Sequence, residues 1–126
     1  MLRNAEGLQT YRASGRRCKI LFSEEQTGTK DMSALLVEFN PGEGTPVHTH
    51  DGIEVMYVIS GEGISVEDGK ETKIYPNTAV LAEKGVPHAI INGAGGPMRM
   101  LCVYIPPLPD SYIKANYEET DDDFLK

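Results

Sequence analysis

Apolar residues fall in short runs of four to nine along the chain, separated by clusters of Gly, Pro, Asp and Asn. That pattern predicts a succession of short strands and turns. Residues 1–16 are polar and weakly patterned and read as an irregular arm with one short strand near Leu8–Arg12. Arg17–Ser23 reads as a strand, and Glu24–Lys30, rich in Glu, Thr and Gly, as a turn. Met32–Asn40 is apolar at both parities, so both faces are expected to be covered, and Pro41-Gly42 ends it. Val55–Ser60 has the same two-sided character. Gly61-Glu62-Gly63 turns the chain into Ile64–Glu67. Asp68-Gly69, lying between two apolar runs, is a strong hairpin signal. Glu71–Tyr75, Thr78–Leu81, His88–Asn92 and Met98–Ile105 complete the strands, with a Gly-rich turn at Gly93–Pro97 before the last of them. Pro106-Pro107-Leu108-Pro109 stops that strand, because proline has no N–H to give a ladder. Asp110–Glu119 reads as a short terminal helix carrying Tyr112 and Tyr117. Roughly nine or ten short strands at regular spacing predict an all-β sandwich or barrel.

Composition narrows this picture. At 126 residues, with 40% apolar and 25% charged side chains, the chain fits one globular domain with one core. No apolar run reaches the length of a membrane span, and the first residues lack the apolar core of a signal peptide, so a cytoplasmic location is expected. A net charge of −7 argues against nucleic acid and anionic membrane as partners. Cys18 and Cys102 have no CxxC spacing and suggest neither a disulfide framework nor a zinc knuckle. Charge is uneven: residues 110–126 carry six acids and two lysines, residues 1–17 four arginines and one acid. The acidic end reads as a solvated tail.

The candidate chemistry lies in residues 42–61. His48 and His50 are one residue apart and project to the same face of an extended chain. Asp51-Gly52 marks a turn or bulge that can return Glu54 to the same space. Two imidazoles and a carboxylate make half of a transition-metal site, and His88 is the remaining histidine that can complete it.

Those residues resemble the cupin superfamily. Its first motif, G-x5-H-x-H-x3,4-E-x6-G, is met by Gly42, His48, His50, Glu54 and Gly61. Its second, G-x5-P-x-G-x2-H-x3-N, is met in outline by Gly69, Pro76, His88 and Asn92. Six residues rather than five precede Pro76, Thr78 replaces the motif's second glycine, and the histidine comes late. The two motifs span residues 42–92, about two fifths of the chain. The resemblance implies a double-stranded β-helix (jelly-roll) barrel in which His48, His50, Glu54 and His88 hold a metal. It also implies one domain over 1–126, with a barrel core at about 17–106, an N-terminal arm at 1–16 and an acidic C-terminal tail at 107–126. A homodimer is implied too, and the apolar outer faces of Met32–Asn40 and Val55–Ser60 suit its interface.

Three imidazoles and one carboxylate suit Fe, Mn, Ni, Zn or Cu alike. The expected function is a metal-dependent enzyme on a small oxygen-rich substrate, with dioxygenase or isomerase/lyase chemistry. The alternative is a non-catalytic small-molecule-binding module. By parity Met56 and Val58 share Glu54's face and should line the pocket, while Tyr57 packs outside. On Met98–Ile105 the inward set is expected to be Met98, Met100, Cys102 and Tyr104, since an unpaired inward Arg99 would be costly. Tyr104 is then the candidate catalytic proton donor or substrate hydrogen-bonder.

Overall fold

The structure, a computed structural model, describes residues 1–93 and 95–126. Ten strands form two antiparallel sheets: β1 (Thr10–Ala13), β2 (Arg16–Phe22), β3 (Ser33–Phe39), β4 (Ile53–Ser60), β5 (Gly63–Glu67), β6 (Lys70–Ile74), β7 (Ala79–Ala82), β8 (His88–Asn92), β9 (Met98–Ile105) and β10 (Glu118–Thr120). The larger sheet runs β10-β1-β2-β3-β9-β4-β7 and the smaller β6-β5-β8. A 3-10 turn at Ala5–Gly7 and two short α-helices, α1 (Glu24–Thr27) and α2 (Asp110–Asn116), complete the elements among the described residues.

The elements follow from local chemistry. Asp68 and Gly69 both take positive φ, 49° and 80°, as a two-residue hairpin turn between β5 and β6 requires. The stretch Glu24–Lys30, expected as a turn, contains the one-turn α1, because the Ser23 side chain accepts from the Gln26 N–H and Gly28 closes the turn in the left-handed region. The expected turn at Gly93–Pro97 includes Ala94, which lies outside the described residues.

Alternation sets the core. Cys18 and Ile20 of β2, Leu35, Val37 and Phe39 of β3, Met56 and Val58 of β4, and Met98, Met100 and Cys102 of β9 all point inward. Ile74 and Ile90 of the smaller sheet meet them. Burial on this scale is the main favourable contribution to the fold, at about 2 kcal/mol for each fully buried aliphatic side chain. The inward face of β9 is the one parity favoured, and Arg99 points out to donate to Glu38 Oε2 at 3.0 Å and to the Phe124 carbonyl at 2.9 Å.

Two expectations are corrected. β3 is buried along its whole length, but β4 is covered on one face only: Val55, Tyr57 and Ile59 are exposed, beside exposed Leu81 and Ile105. Two-sided apolarity therefore marks an outer face that none of the described residues covers. The acidic end is not a solvated tail. Ile113 of α2 enters the core, Phe124 is buried, and β10 pairs with β1 through Thr10↔Thr120, Tyr11↔Glu119 and Arg12↔Glu118. The expected helix Asp110–Glu119 ends at Asn116 because the chain turns extended at Tyr117 to make that pairing.

The basic N-terminal third and the acidic end neutralise each other. Lys19, with no exposed surface, donates through Nζ to Asp123 Oδ2 at 2.8 Å and to the Ala5 carbonyl at 2.7 Å. Arg17 bridges Glu38 at 2.7 Å and Asp122 at 2.9 Å. Arg17, Lys19 and Arg99 all lie against the Phe124 ring.

Candidate metal centre

Residues 44–50 are extended but belong to no regular strand; they run beside β8 and bridge to it at Gly44↔Ile91 and His48↔His88. His48 and His88 exchange both backbone N–H···O bonds at 3.0 Å, so their side chains leave the same face of the ladder. Their ring centroids stand 4.3 Å apart. His50, two residues on, brings its ring to 4.7 Å from His88. Gly52 then makes the sharp bend into β4, where an added Cβ would stand 2.3 Å from the Ile105 carbonyl oxygen. This close approach puts Glu54 on the inward face of β4, opposite Tyr104 of β9. The site thus spans the gap between the sheets, with histidines from one side and the carboxylate from the other.

The four side chains expected to meet do meet. One ligating atom from each of His48, His50, Glu54 and His88 falls within 4.8 Å of all the others. The imidazoles are also set in the right tautomer. Nδ1 of His48 donates to the Pro46 carbonyl (2.8 Å), Nδ1 of His50 to Gly52 (3.0 Å) and Nδ1 of His88 to Val86 (2.9 Å). With each Nδ1 carrying the proton, each neutral ring turns an Nε2 lone pair to the centre. Nε2 of His88 is buried with no hydrogen-bond partner, and it lies 3.6 Å from Glu54 Oε1, while Nε2 of His50 lies 3.2 Å from the same oxygen. An orphaned, buried lone-pair donor among two others and a carboxylate fits a divalent metal ion.

Electrostatics agree with a charged carboxylate at the centre. Burial pushes Glu54 up, but the neighbouring His88, His50 and Tyr104 outweigh it and hold the carboxyl below its usual range. Its nearness to Glu54 raises His88 against the opposing effect of burial. Tyr104 and Cys102 are both driven well above their ordinary values, first by burial and then by neighbouring negative charge that includes Glu54.

The cluster opens on a cavity of about 230 Å³. Met56, Met100 and Cys102 line it, as parity predicted, whereas Val58 lies deeper in the core. Tyr57 points out and donates to Asn77 Oδ1 at 2.7 Å. Among the wall residues not anticipated are Arg16 of β2, and Tyr112, Ile113 and Tyr117 from α2 and the residue after it. Arg16 shares the parity of inward Cys18 and Ile20, but a strand begun at Arg17 leaves it in the arm. A larger groove of about 530 Å³ on the outer surface contains none of the four cluster residues.

The fold and site can now be set beside known proteins. The family described as Cupin domain matches residues 35–104. L-ectoine synthase of Hahella chejuensis is 30% identical over 126 aligned positions, covering 92% of this chain and 86% of its own. An oxalate-binding protein of Thermotoga maritima is 28% identical over 86 positions, covering 68% of this chain and 71% of its own. Among solved structures, ectoine synthase from P. lautus superposes with a TM-score of 0.77 at 19% identity, over 98% of this chain and 95% of that one, which shows a shared fold. Among the described residues no helix is long and apolar enough to cross a membrane. The two facing antiparallel sheets are therefore a jelly-roll barrel of known type, and the chain belongs to the cupin family.

Proposed function

We propose that this cupin is a metal-dependent enzyme acting on a small oxygen-rich molecule. The observation that carries the reading is the set of three imidazoles whose Nδ1 atoms all face backbone carbonyls, leaving three Nε2 lone pairs to converge with a buried carboxylate. Such an arrangement has no use in packing. His48, His50, Glu54 and His88 are the residues that would hold the ion, and donors of this type suit Fe, Mn, Ni, Zn or Cu. When bound, the metal supplies Lewis acidity toward an oxygen of the substrate. The apolar walls around Met56 and Met100 exclude water and strengthen every polar contact inside. Tyr104, facing Glu54 and held protonated far above neutral pH, is the group placed to donate a hydrogen bond or a proton to bound substrate.

A second reading, a binding module without turnover, is supported by one feature. Outside the metal cluster the pocket's hydrogen-bearing groups are tyrosines, threonines, a cysteine and an arginine, and burial holds Tyr104, Tyr117 and Cys102 protonated above their ordinary values. No free base tuned to neutral pH stands among them. The names of the relatives, a synthase and an oxalate-binding protein, divide along the same line.

Elemental analysis of the protein purified without an affinity metal column tests the shared premise. Stoichiometric metal in the wild type and its loss in His48→Ala and His88→Ala are expected; a metal-free protein with full activity would sink the reading. Product formed from a bound ligand would decide for the enzyme, and saturable metal-dependent binding without product for the module.

The pairing of two copies belongs to the same reading. Val55, Tyr57, Ile59, Leu81 and Ile105 form an exposed apolar stripe on β4, β7 and β9, of a kind that marks an interface. A dimer in sedimentation velocity that Ile59→Lys converts to monomer is expected; a monomeric wild type would refute it.

A further inference from the structure

At the end of the cavity away from the metal cluster stands an arginine without an acid. Glu54 shares its row of the larger sheet with Tyr104 and Ser33, whereas Arg16 shares its own with Phe39 and Met98. Met98 and Tyr104 lie six residues apart on β9, about 20 Å of extended chain, so the two groups mark opposite ends of the pocket they both line. Between them the wall is apolar, with Leu35, Val37, Ile90 and Met100.

The charge of Arg16 is unbalanced in a chain whose other strand arginines are all paired. Arg12 faces Glu118, Arg17 faces Glu38 and Asp122, and Arg99 faces Glu38. Arg16 enters no ion pair among the described residues, although the chain carries a net −7. Its Nε donates to the Tyr117 hydroxyl at 2.8 Å, its guanidinium lies 5.3 Å from the centre of that ring, and Nη1 reaches the Ser14 carbonyl only at 3.5 Å. Nη2 has no partner among the described residues. A half-buried guanidinium with free donors at the end of an apolar cavity gains most from an incoming anion, and its fork matches a carboxylate.

We infer that the pocket takes a small molecule with an acid group at each end, one held by the metal and the other by Arg16. The inference rests on the metal reading above and adds the substrate class: a diacid in which a chelating oxygen lies next to one carboxylate. Arg16 is the specificity determinant, and Tyr117 holds it in place.

Calorimetry on the metal-bound protein as purified tests this, with 2-hydroxy diacids of four to eight carbons as probes against 2-hydroxy monoacids of equal length. At least one diacid is expected to bind tenfold or more tightly than its monoacid partner. Arg16→Ala should erase that difference while leaving monoacid affinity and metal content unchanged, and Arg16→Lys should restore part of it. Tyr117→Phe, which removes the hydroxyl that anchors Arg16 Nε but keeps the ring, should reduce the preference only in part and leave monoacid affinity unchanged. Equal binding of diacids and monoacids in the wild type, a preference that survives Arg16→Ala, or no binding by any probe would overturn the inference. Repeating the titration after chelation separates the two readings. Loss of all binding supports both, whereas Arg16-dependent diacid binding that persists without metal refutes the metal reading and the metal-held end of the inference, leaving only the acid-binding role of Arg16.

Discussion

Asp123→Ala should destabilise the protein far more than its place three residues from the C-terminus suggests. Its partner Lys19 is wholly enclosed, and the pair is 2.8 Å long. At that separation an effective dielectric of about 20 gives roughly 6 kcal/mol of attraction, part of which offsets the desolvation of the ammonium. Removing the carboxylate leaves a buried charge with the Ala5 carbonyl as its remaining partner. Breaking a buried pair from one side costs about 3–5 kcal/mol. The lower end, about 3 kcal/mol, applies here because the Asp123 side chain is 10% exposed and one hydrogen bond remains. Urea unfolding followed by circular dichroism should then show a midpoint about 1.5 M lower, for a slope near 2 kcal/mol/M. Lys19→Met should cost less, since the freed carboxylate can reach water, and the double variant should resemble Lys19→Met, giving a clear coupling energy. The pH dependence carries a sign. The hydrogen bond from Lys19 holds Asp123 below its ordinary 3.8, so its stabilisation is complete above that value and disappears as pH falls through the lower folded value. The gap between wild type and Asp123→Ala should therefore be constant from pH 5 to 7 and close only in strong acid. A loss under about 0.5 kcal/mol at pH 7 would mean that the acidic end is solvated after all.

Other outcomes follow from single contacts. Gly52→Ala should cost about 2 kcal/mol or more, because its Cβ meets the Ile105 carbonyl and Pro106 rather than a flexible side chain, and should weaken metal binding tenfold or more by shifting the Gly52 carbonyl that orients His50; metal titration and thermal melts would check both. Chelation should lower the melting temperature, since a ligand that binds only the folded state at a hundred times its Kd contributes about 2.7 kcal/mol; an unchanged melt would speak against a resident ion. Cys18, pushed up to about 12 by burial, and Cys102, driven well above its ordinary value first by burial, should resist a thiol reagent at pH 8 until urea is added. Fast labelling of the native protein would contradict their burial.

Much of this molecule is local and could be read from the chain. Strand runs, the Asp68-Gly69 hairpin and the proline stop after Ile105 depend on neighbours one or two residues away, so propensity and period suffice. The HxHx3E spacing also works locally: a two-residue step on extended chain keeps His48 and His50 on one side even though no regular strand forms there. The inward face of β9 was legible because the wrong choice would have buried Arg99 unpaired. What the chain alone could not decide is what lies across space. β10 has three polar residues, two of them acidic, and gains its strand character from β1, more than a hundred residues earlier. The bare outer face of β4 and the covered one of β3 have the same apolar pattern, and what separates them is the C-terminal segment, whose Phe124 lies against the outward side chains of β2 and β9 on either side of β3. The carbonyl partners that turn each Nε2 to the centre are only two residues from their histidines, but the convergence of His88 with His48 and His50, and the reach of Arg16 into a pocket lined by Tyr117, arise from packing between segments remote in sequence. Periodicity reports which residues share a face; which faces meet, and what stands opposite a charge when they do, belongs to the tertiary structure.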